Sequence, residues 1–232
     1  MKSIIYKGAG EVVSEEKAVP APGAGEVLIK VAYAGICGSD MFIYQGTHPR
    51  AQAPLVMGHE FSGVIEAGHP TLAKGTPVTV YPLLSCGQCE PCKNGTPHVC
   101  NTLKLIGIDC DGGMAEYVKV PADKVVEIPA GLNLKLGAFI EPVAVGVHAV
   151  RRSGYKPGDT AVVYGAGPIG LCVASCLSYF GASQVLIIEA NPHRLDVARQ
   201  LGFTTINAAQ DDIRAKVLEY TNGHNADLAF DC

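Results

Sequence analysis

The stretch TAVVYGAGPIG, residues 160–170, decides the fold. Five strand-forming residues, TAVVY, run straight into a glycine-rich turn. Gly165, Gly167 and Gly170 set the spacing G-x-G-x-x-G, with Pro168 and Ile169 inside it. An apolar helix is predicted over 169–180, and a second continuous apolar run, QVLIIE, fills 184–189. Strand, glycine turn, helix and strand together give this spacing its meaning. The glycines allow a tight turn, a close approach of backbone to a pyrophosphate, and tight packing of helix on strand. The helix N-terminus then faces the phosphates. Glu189 ends the second run, 19 residues beyond Gly170. A carboxylate there can bond the adenosine ribose hydroxyls, which favours NAD over NADP. Arg194 could accept a 2′-phosphate, but Glu189 would repel that phosphate. The bland alternative is a glycine-rich turn in some other α/β fold.

The alternation continues downstream. A helix is predicted over 192–201, a strand at TTIN (204–207), a helix over 211–220 and a strand at DLAFDC (227–232). Continuous apolar strands separated by helices indicate a parallel, doubly wound sheet. A six-stranded dinucleotide fold would need further strands, so this α/β unit is expected to be truncated at its C-terminal end. Upstream, 134–154 reads as a long apolar helix that Pro142 must bend or restart. The first 130 residues read instead as short Val-, Ile- and Tyr-rich strands bounded by Gly and Pro, at 26–36, 61–67, 77–83, 114–120 and 125–129. The expected organisation is a β-domain over 1–152 and a dinucleotide-binding domain over 153–232.

Composition narrows the function classes. Of 232 residues, 48% are hydrophobic and 17% charged, which excludes intrinsic disorder. The net charge of −4 comes with no basic block, so nothing favours nucleic acid or an anionic membrane as partner. The N-terminal MKSIIYKGAGEVV lacks the apolar core of a secretion signal, and a cytoplasmic location is expected.

The nine cysteines are unevenly placed. Cys86, Cys89, Cys92 and Cys100 lie within SCGQCEPCKNGTPHVC. Four thiolates on a short loop suit a structural Zn2+, and unrelated buried thiols rarely bunch in a polar loop. A second set is dispersed: Cys37 in GICGSD, His59 and Glu60 in MGHEFSG, and Glu141 in FIEPVAVG. Thiolate, imidazole and carboxylate are the mixed ligands of a catalytic zinc with one open position. Asp40 could orient a ligand imidazole from behind. Each residue also has an ordinary reading, as core thiol, surface pair or carboxylate near a helix start. Cys172 and Cys176, four apart on an apolar helix, read as buried thiols.

CGSD, GHEFSG, the four-cysteine lobe, FIEPVAVGVHAV and VVYGAGPIG follow one another in this order. The chain thereby resembles the zinc-dependent medium-chain alcohol dehydrogenases over nearly its whole length. It looks most like their polyol and sugar-acid branch, to which sorbitol, galactitol-1-phosphate, L-galactonate and L-threonine 3-dehydrogenases belong. The resemblance implies a GroES-like β-domain carrying both zincs and a Rossmann domain carrying NAD, in a homodimer or homotetramer. It implies catalytic-zinc ligands at Cys37 and His59, with Glu60 or Glu141 completing the set. It implies structural-zinc ligands at Cys86, Cys89, Cys92 and Cys100, a proton relay through Ser39, and NAD contacts from Ile169, Glu189 and Arg194. The expected activity is hydride transfer from a secondary alcohol (polyol, sugar alcohol phosphate or sugar acid) to NAD. Oxidation of L-threonine and a non-catalytic NAD-sensing role are the rival readings. Two positions depart from the branch: Phe42 stands where many members carry a relay histidine, and His69 stands where a glycine is usual.

Overall fold

The computed structural model describes residues 1–232, which divide into two compact units, Met1–Glu141 and Pro142–Cys232. The division falls well before residue 152, where the sequence pattern places it. The cause is packing: Val150 is buried in the core of the second unit, and Val147 and Ala149 lie against that core. The long helix predicted over 134–154 is two helices, Leu134–Ala138 and Ile140–Arg152, broken at Phe139, with Pro142 in the first turn of the second.

The first unit is built from β1 (Lys2–Gly8), β2 (Glu11–Glu16), β3 (Glu26–Ala34), α1 (Gly38–Tyr44), β4 (Leu55–Val56), β5 (Phe61–Ala67), β6 (Pro77–Val80), β7 (Leu83–Leu84), α2 (Glu90–Lys93), β8 (Lys104–Leu105), β9 (Tyr117–Pro121), β10 (Val125–Glu127) and α3 (Leu134–Ala138). Its main sheet has the order β10-β6-β5-β3-β9 and is antiparallel throughout. Alternating residues explain its core. Val27 and Ile29 of β3, Phe61 and Ile65 of β5, Val78 and Val80 of β6, and Val118 and Val120 of β9 are buried in one cluster. Such period-2 burial is what fixes strand register. A smaller sheet, β2-β1-β4, and the pair β7-β8 complete the unit. Ile43 of α1 is buried with Tyr6, Leu55, Met57 and Ile108, which anchors that short helix beside the end of β3.

The second unit begins with most of the helix Ile140–Arg152, here α4, followed by β11 (Thr160–Tyr164), α5 (Pro168–Tyr179), β12 (Gln184–Glu189), α6 (Pro192–Gln200), β13 (Thr204–Asn207), α7 (Ile213–Tyr220) and β14 (Leu228–Asp231). The sheet order β13-β12-β11-β14 is wholly parallel. In order of appearance this is 3-2-1-4, the arrangement of a doubly wound dinucleotide fold, with its switch point between β11 and β14. Core residues cover both faces. Ala161, Val163 and Ile187 pack with α5 on one side; Val162, Leu186, Ile188 and Ile206 pack with Ile213 and Val217 of α7 on the other. Cys172 and Cys176 are buried in the first of these cores, so their plain reading as packing thiols agrees with their surroundings. No helix is long and apolar enough to cross a membrane.

Leu186 is fully buried in the centre of β12. Leu186→Ala should destabilise this unit by about 2–5 kcal/mol. Hydrogen exchange of the β11 and β12 amides checks it: their opening free energies should fall by that amount while those of β3 and β5 stay unchanged.

Candidate metal and dinucleotide sites

The four-cysteine lobe forms one cluster. Cys89 is the residue that opens α2, Cys92 lies within that helix, and a 3-10 turn over Pro97–Val99 delivers Cys100. The Sγ atoms of Cys89 and Cys92 are 3.4 Å apart, those of Cys89 and Cys100 3.7 Å, and those of Cys86 and Cys92 4.0 Å. A tetrahedral Zn2+ with Zn–S bonds near 2.3 Å separates its sulfurs by about 3.8 Å, so the donors fit that ion. Backbone N–H groups point at the sulfurs. Gln88 and Cys89 donate to Cys86 at 3.4 Å, and Cys86 and Thr102 donate to Cys100 at 3.3 and 3.4 Å. Those of Gln88 and Cys89 hold Cys86 down to about 6, whereas desolvation pushes Cys92 up to about 12. The protein alone thus favours ionising some of the four thiols, and a dication would remove the repulsion that opposes the rest. His98 stands outside the cluster.

The dispersed set converges in part. β3 ends at Ala34, opposite Phe61 of β5, and this pairing brings Cys37 beside His59 and Glu60. One ligand atom from each of Cys37, His59 and Glu60 lies within 4.8 Å of the others. Glu141 stands outside that group, but its charge interacts with both His59 and Glu60. Asp40 Oδ2 accepts a 2.8 Å hydrogen bond from the Cys37 N–H. Asp40 Oδ1 and His59 Nδ1 are buried without hydrogen-bond partners, and so is Ser39 Oγ. Asp40 feels the charge of His59, but the two make no hydrogen bond.

The electrostatics of this set are one-sided. Burial pushes the pKa values of Asp40, Glu60 and Glu141 upward, opposed chiefly by His59 and, for Asp40, by backbone N–H groups and His48; Glu60 also acts on Glu141, and Asp40 on Glu60, in the same upward sense. Burial also raises the Cys37 thiol, with Glu60 and Asp40 adding to the effect. The cations that act most strongly on the carboxyls are the imidazoles of His59 and, for Asp40, His48. A sulfur, an imidazole and a carboxylate match the donor set of a catalytic Zn2+.

In the second unit, Gly165 has φ +98, and a Cβ there would collide with the carbonyl of Cys232. A Cβ on Gly170 would strike the Gly165 carbonyl. Gly167 opens α5 and has only Arg194 Nη1, at 4.0 Å, near its missing Cβ. The mouth of the turn is therefore open to a phosphate, with the α5 N-terminus behind it. Pro168 starts that helix, and Ile169 packs against its core. Glu189 Oε2 accepts from the Ala166 N–H at 3.0 Å, and Oε1 accepts from Ala190 and Asn191 at 2.8 and 2.9 Å. Burial opposes its ionisation, but these donors and Arg194 outweigh that and hold the carboxyl below its usual range. Arg194 Nη1 lies 3.7 Å from Glu189 Oε2. The anion at 189 is thus tied to the glycine turn itself.

Two segments match known family descriptions: residues 23–130 an alcohol dehydrogenase GroES-like domain, and residues 168–232 a zinc-binding dehydrogenase. The chain is 40% identical to the L-threonine 3-dehydrogenase of Bacillus subtilis, covering 98% of this chain and 68% of that relative. It belongs to the zinc-type alcohol dehydrogenase family. It is also 42% identical to the 2-dehydro-3-deoxy-L-galactonate 5-dehydrogenase of Pseudoalteromonas atlantica, over 91% of this chain and 63% of that protein. The chain therefore spans less than two thirds of that relative's length. Among solved structures, the RspB alcohol dehydrogenase of Escherichia coli CFT073, complexed with NADH, superposes with a TM-score of 0.91 at 37% identity, covering 100% of this chain and 69% of that one.

Sequence reasoning did not foresee α1, the helix that carries Ser39 and Asp40. Its signal was available: Asp40 stands three residues after Cys37 and accepts from its N–H, as in a helix-capping pair.

Cys92→Ser tests the four-sulfur site. The variant should lose one zinc per chain by elemental analysis and melt about 10 °C lower, since one kcal/mol shifts a unit of this size by roughly 2–4 °C. Unchanged metal content and melting temperature would refute it.

Proposed function

We propose that this chain carries the zinc- and NAD-dependent oxidation of a secondary alcohol, with a polyol, sugar alcohol phosphate or sugar acid as substrate. The observation that carries the reading is the grouping of Cys37, His59 and Glu60 in one chain with a glycine turn whose acceptor, Glu189, is already ionised. Cys37, His59 and Glu60 would hold the catalytic zinc, with Glu141 close enough in charge to exchange with Glu60. Cys86, Cys89, Cys92 and Cys100 would hold the structural one. When bound, zinc supplies Lewis acidity toward the substrate hydroxyl, and NAD supplies the hydride acceptor.

The chain's own residues do the positioning. Ser39 Oγ is buried beside the Cys37 thiol, which it helps to ionise, and would hydrogen bond a substrate hydroxyl, taking up its proton as it passes its own on. Phe42 is 57% exposed and cannot carry a proton. The proton would leave instead by Glu60 or Glu141, whose protonated forms burial favours. Gly165, Gly167 and Gly170, with Pro168 and Ile169, would seat the pyrophosphate. Glu189 would accept from the ribose hydroxyls while Arg194 flanks it.

The likeness to a sugar-acid dehydrogenase supports the substrate class, and the likeness to an NADH complex supports the cofactor. The family resemblance supports a homodimer or homotetramer in the cytoplasm.

Two measurements test the reading. In the first, the protein is incubated with NAD or NADP and a panel of polyols, aldonates, sugar phosphates and L-threonine. Reduced nicotinamide should appear with NAD and a sugar alcohol or sugar acid; turnover of L-threonine alone would overturn the substrate class. The second is calorimetric binding of each cofactor. NAD should bind more tightly than NADP, and Glu189→Ala should narrow that preference by about tenfold, the worth of one lost ribose bond and one removed repulsion. Tighter binding of NADP by the unaltered protein would overturn the cofactor assignment.

A further inference from the structure

Gly35 follows the last residue of β3 and meets Glu60 across the sheet. Its N–H donates to the Glu60 carbonyl at 2.6 Å, which extends the β3–β5 ladder one residue past the pair Ala34–Phe61. Directly opposite residues on antiparallel strands carry Cβ atoms about 4.5–5.5 Å apart, so their side chains compete for the same space. Here one of the two has no side chain, and the other fills the gap. A Cβ on Gly35 would collide with Glu60 Oε2 and would lie 3.1 Å from Glu60 Cβ and 3.4 Å from Glu60 Cδ. At most other crowded glycines of this unit the space is taken by backbone or by packing side chains, such as Phe61 at Gly113, Met114 at Gly58 and Ile128 at Gly137; at Gly23 it is taken by the Glu26 carboxylate, 3.2 Å away. Only at Gly35 is it taken by a carboxylate of the Cys37–His59–Glu60 group.

We propose that Gly35 is a positioning residue, which leaves vacant the space that lets the Glu60 carboxylate fold back to Cys37 and His59 and serve as a metal ligand. The proposal rests on the reading that these three residues hold the catalytic zinc. Gly35 does not have a left-handed backbone, so alanine costs nothing in φ. The atom struck is the far end of a flexible side chain, and it can swing away without unfolding the sheet. Alanine at 35 should therefore act on the ligand and not on the fold.

The test is a double-mutant cycle on the zinc-loaded protein, with Gly35→Ala, Glu60→Ala and the double variant. Zinc affinity at the weaker of the two sites is measured by competition with a chromophoric chelator, and thermal melting is followed in parallel. Gly35→Ala should weaken that site about 10–100-fold, the usual cost of disturbing a metal ligand's support. The four-cysteine zinc should stay bound, and once chelator has emptied the weaker site the melting temperature should equal that of the unaltered protein treated in the same way. In the Glu60→Ala background, Gly35→Ala should change nothing further. Equal weakening in both backgrounds, or no weakening in either, would overturn the proposal. A crystal structure of metal-free Gly35→Ala separates this failure from failure of the zinc reading. A displaced Glu60 carboxylate in a protein that binds only one zinc would uphold the positioning and sink the metal assignment. An undisplaced carboxylate would sink the positioning whatever the metal content.

Discussion

Buried acidic groups without a fixed counter-charge are the constraint on which the Cys37–His59–Glu60 group depends. Cys37, Asp40, Glu60 and Glu141 interact with one another around His59, with His48 acting on Asp40 from further off, and imidazoles are the main cations acting on the carboxyls. Desolvation of a charged group is costly, so such a set either stays protonated or takes up a cation. The scaffold holds it open to the second outcome. Ile43 anchors α1, the β3–β5 ladder fixes Cys37 against His59, and the missing side chain at Gly35 admits the carboxylate. The four-cysteine lobe meets the same problem differently, with short local loops and N–H donors that stabilise thiolates one by one.

The dinucleotide unit needs no added cation for its own charge. Glu189 is held by three backbone N–H groups and flanked by Arg194. One of those donors, Ala166, belongs to the glycine turn, so the Glu189 carboxylate and that turn are a single hydrogen-bonded piece. Their geometry is set before any ligand arrives, and preorganisation of this kind lowers the cost of binding.

Most of the second unit was legible in the sequence because its signals are local. TAVVY, QVLIIE and TTIN became β11, β12 and β13 within a residue or two, and a parallel sheet covered on both faces follows from uninterrupted apolar strands. The helix expected over 211–220 begins two residues later, at Ile213, because the Asp212 side chain accepts from Ala215 and caps it. The first unit was harder to read. Its sheet joins β3 to β9 and β10 to β6, pairings between segments far apart in sequence that no local pattern encodes. The β1–β2 hairpin went unforeseen, and so did α1, which opens on Gly38 and Ser39, weak helix formers that gave no periodic signal. The same distinction separates the two candidate metal sets. Four cysteines on one loop announce themselves. Cys37, His59 and Glu60 become a group only once β3 and β5 pair, and the role of Gly35 is invisible until then.

The direct test of the central claim is X-ray absorption at the zinc edge on protein carrying two zincs per chain. An all-sulfur site and a site with one sulfur together should give a mixed first shell, with Zn–S near 2.3 Å and Zn–N or Zn–O at about 2.0–2.1 Å. The shorter shell should vanish when Cys37 and His59 are both replaced by alanine, leaving sulfur alone. A purely sulfur shell in the unaltered protein would contradict a metal at Cys37, His59 and Glu60.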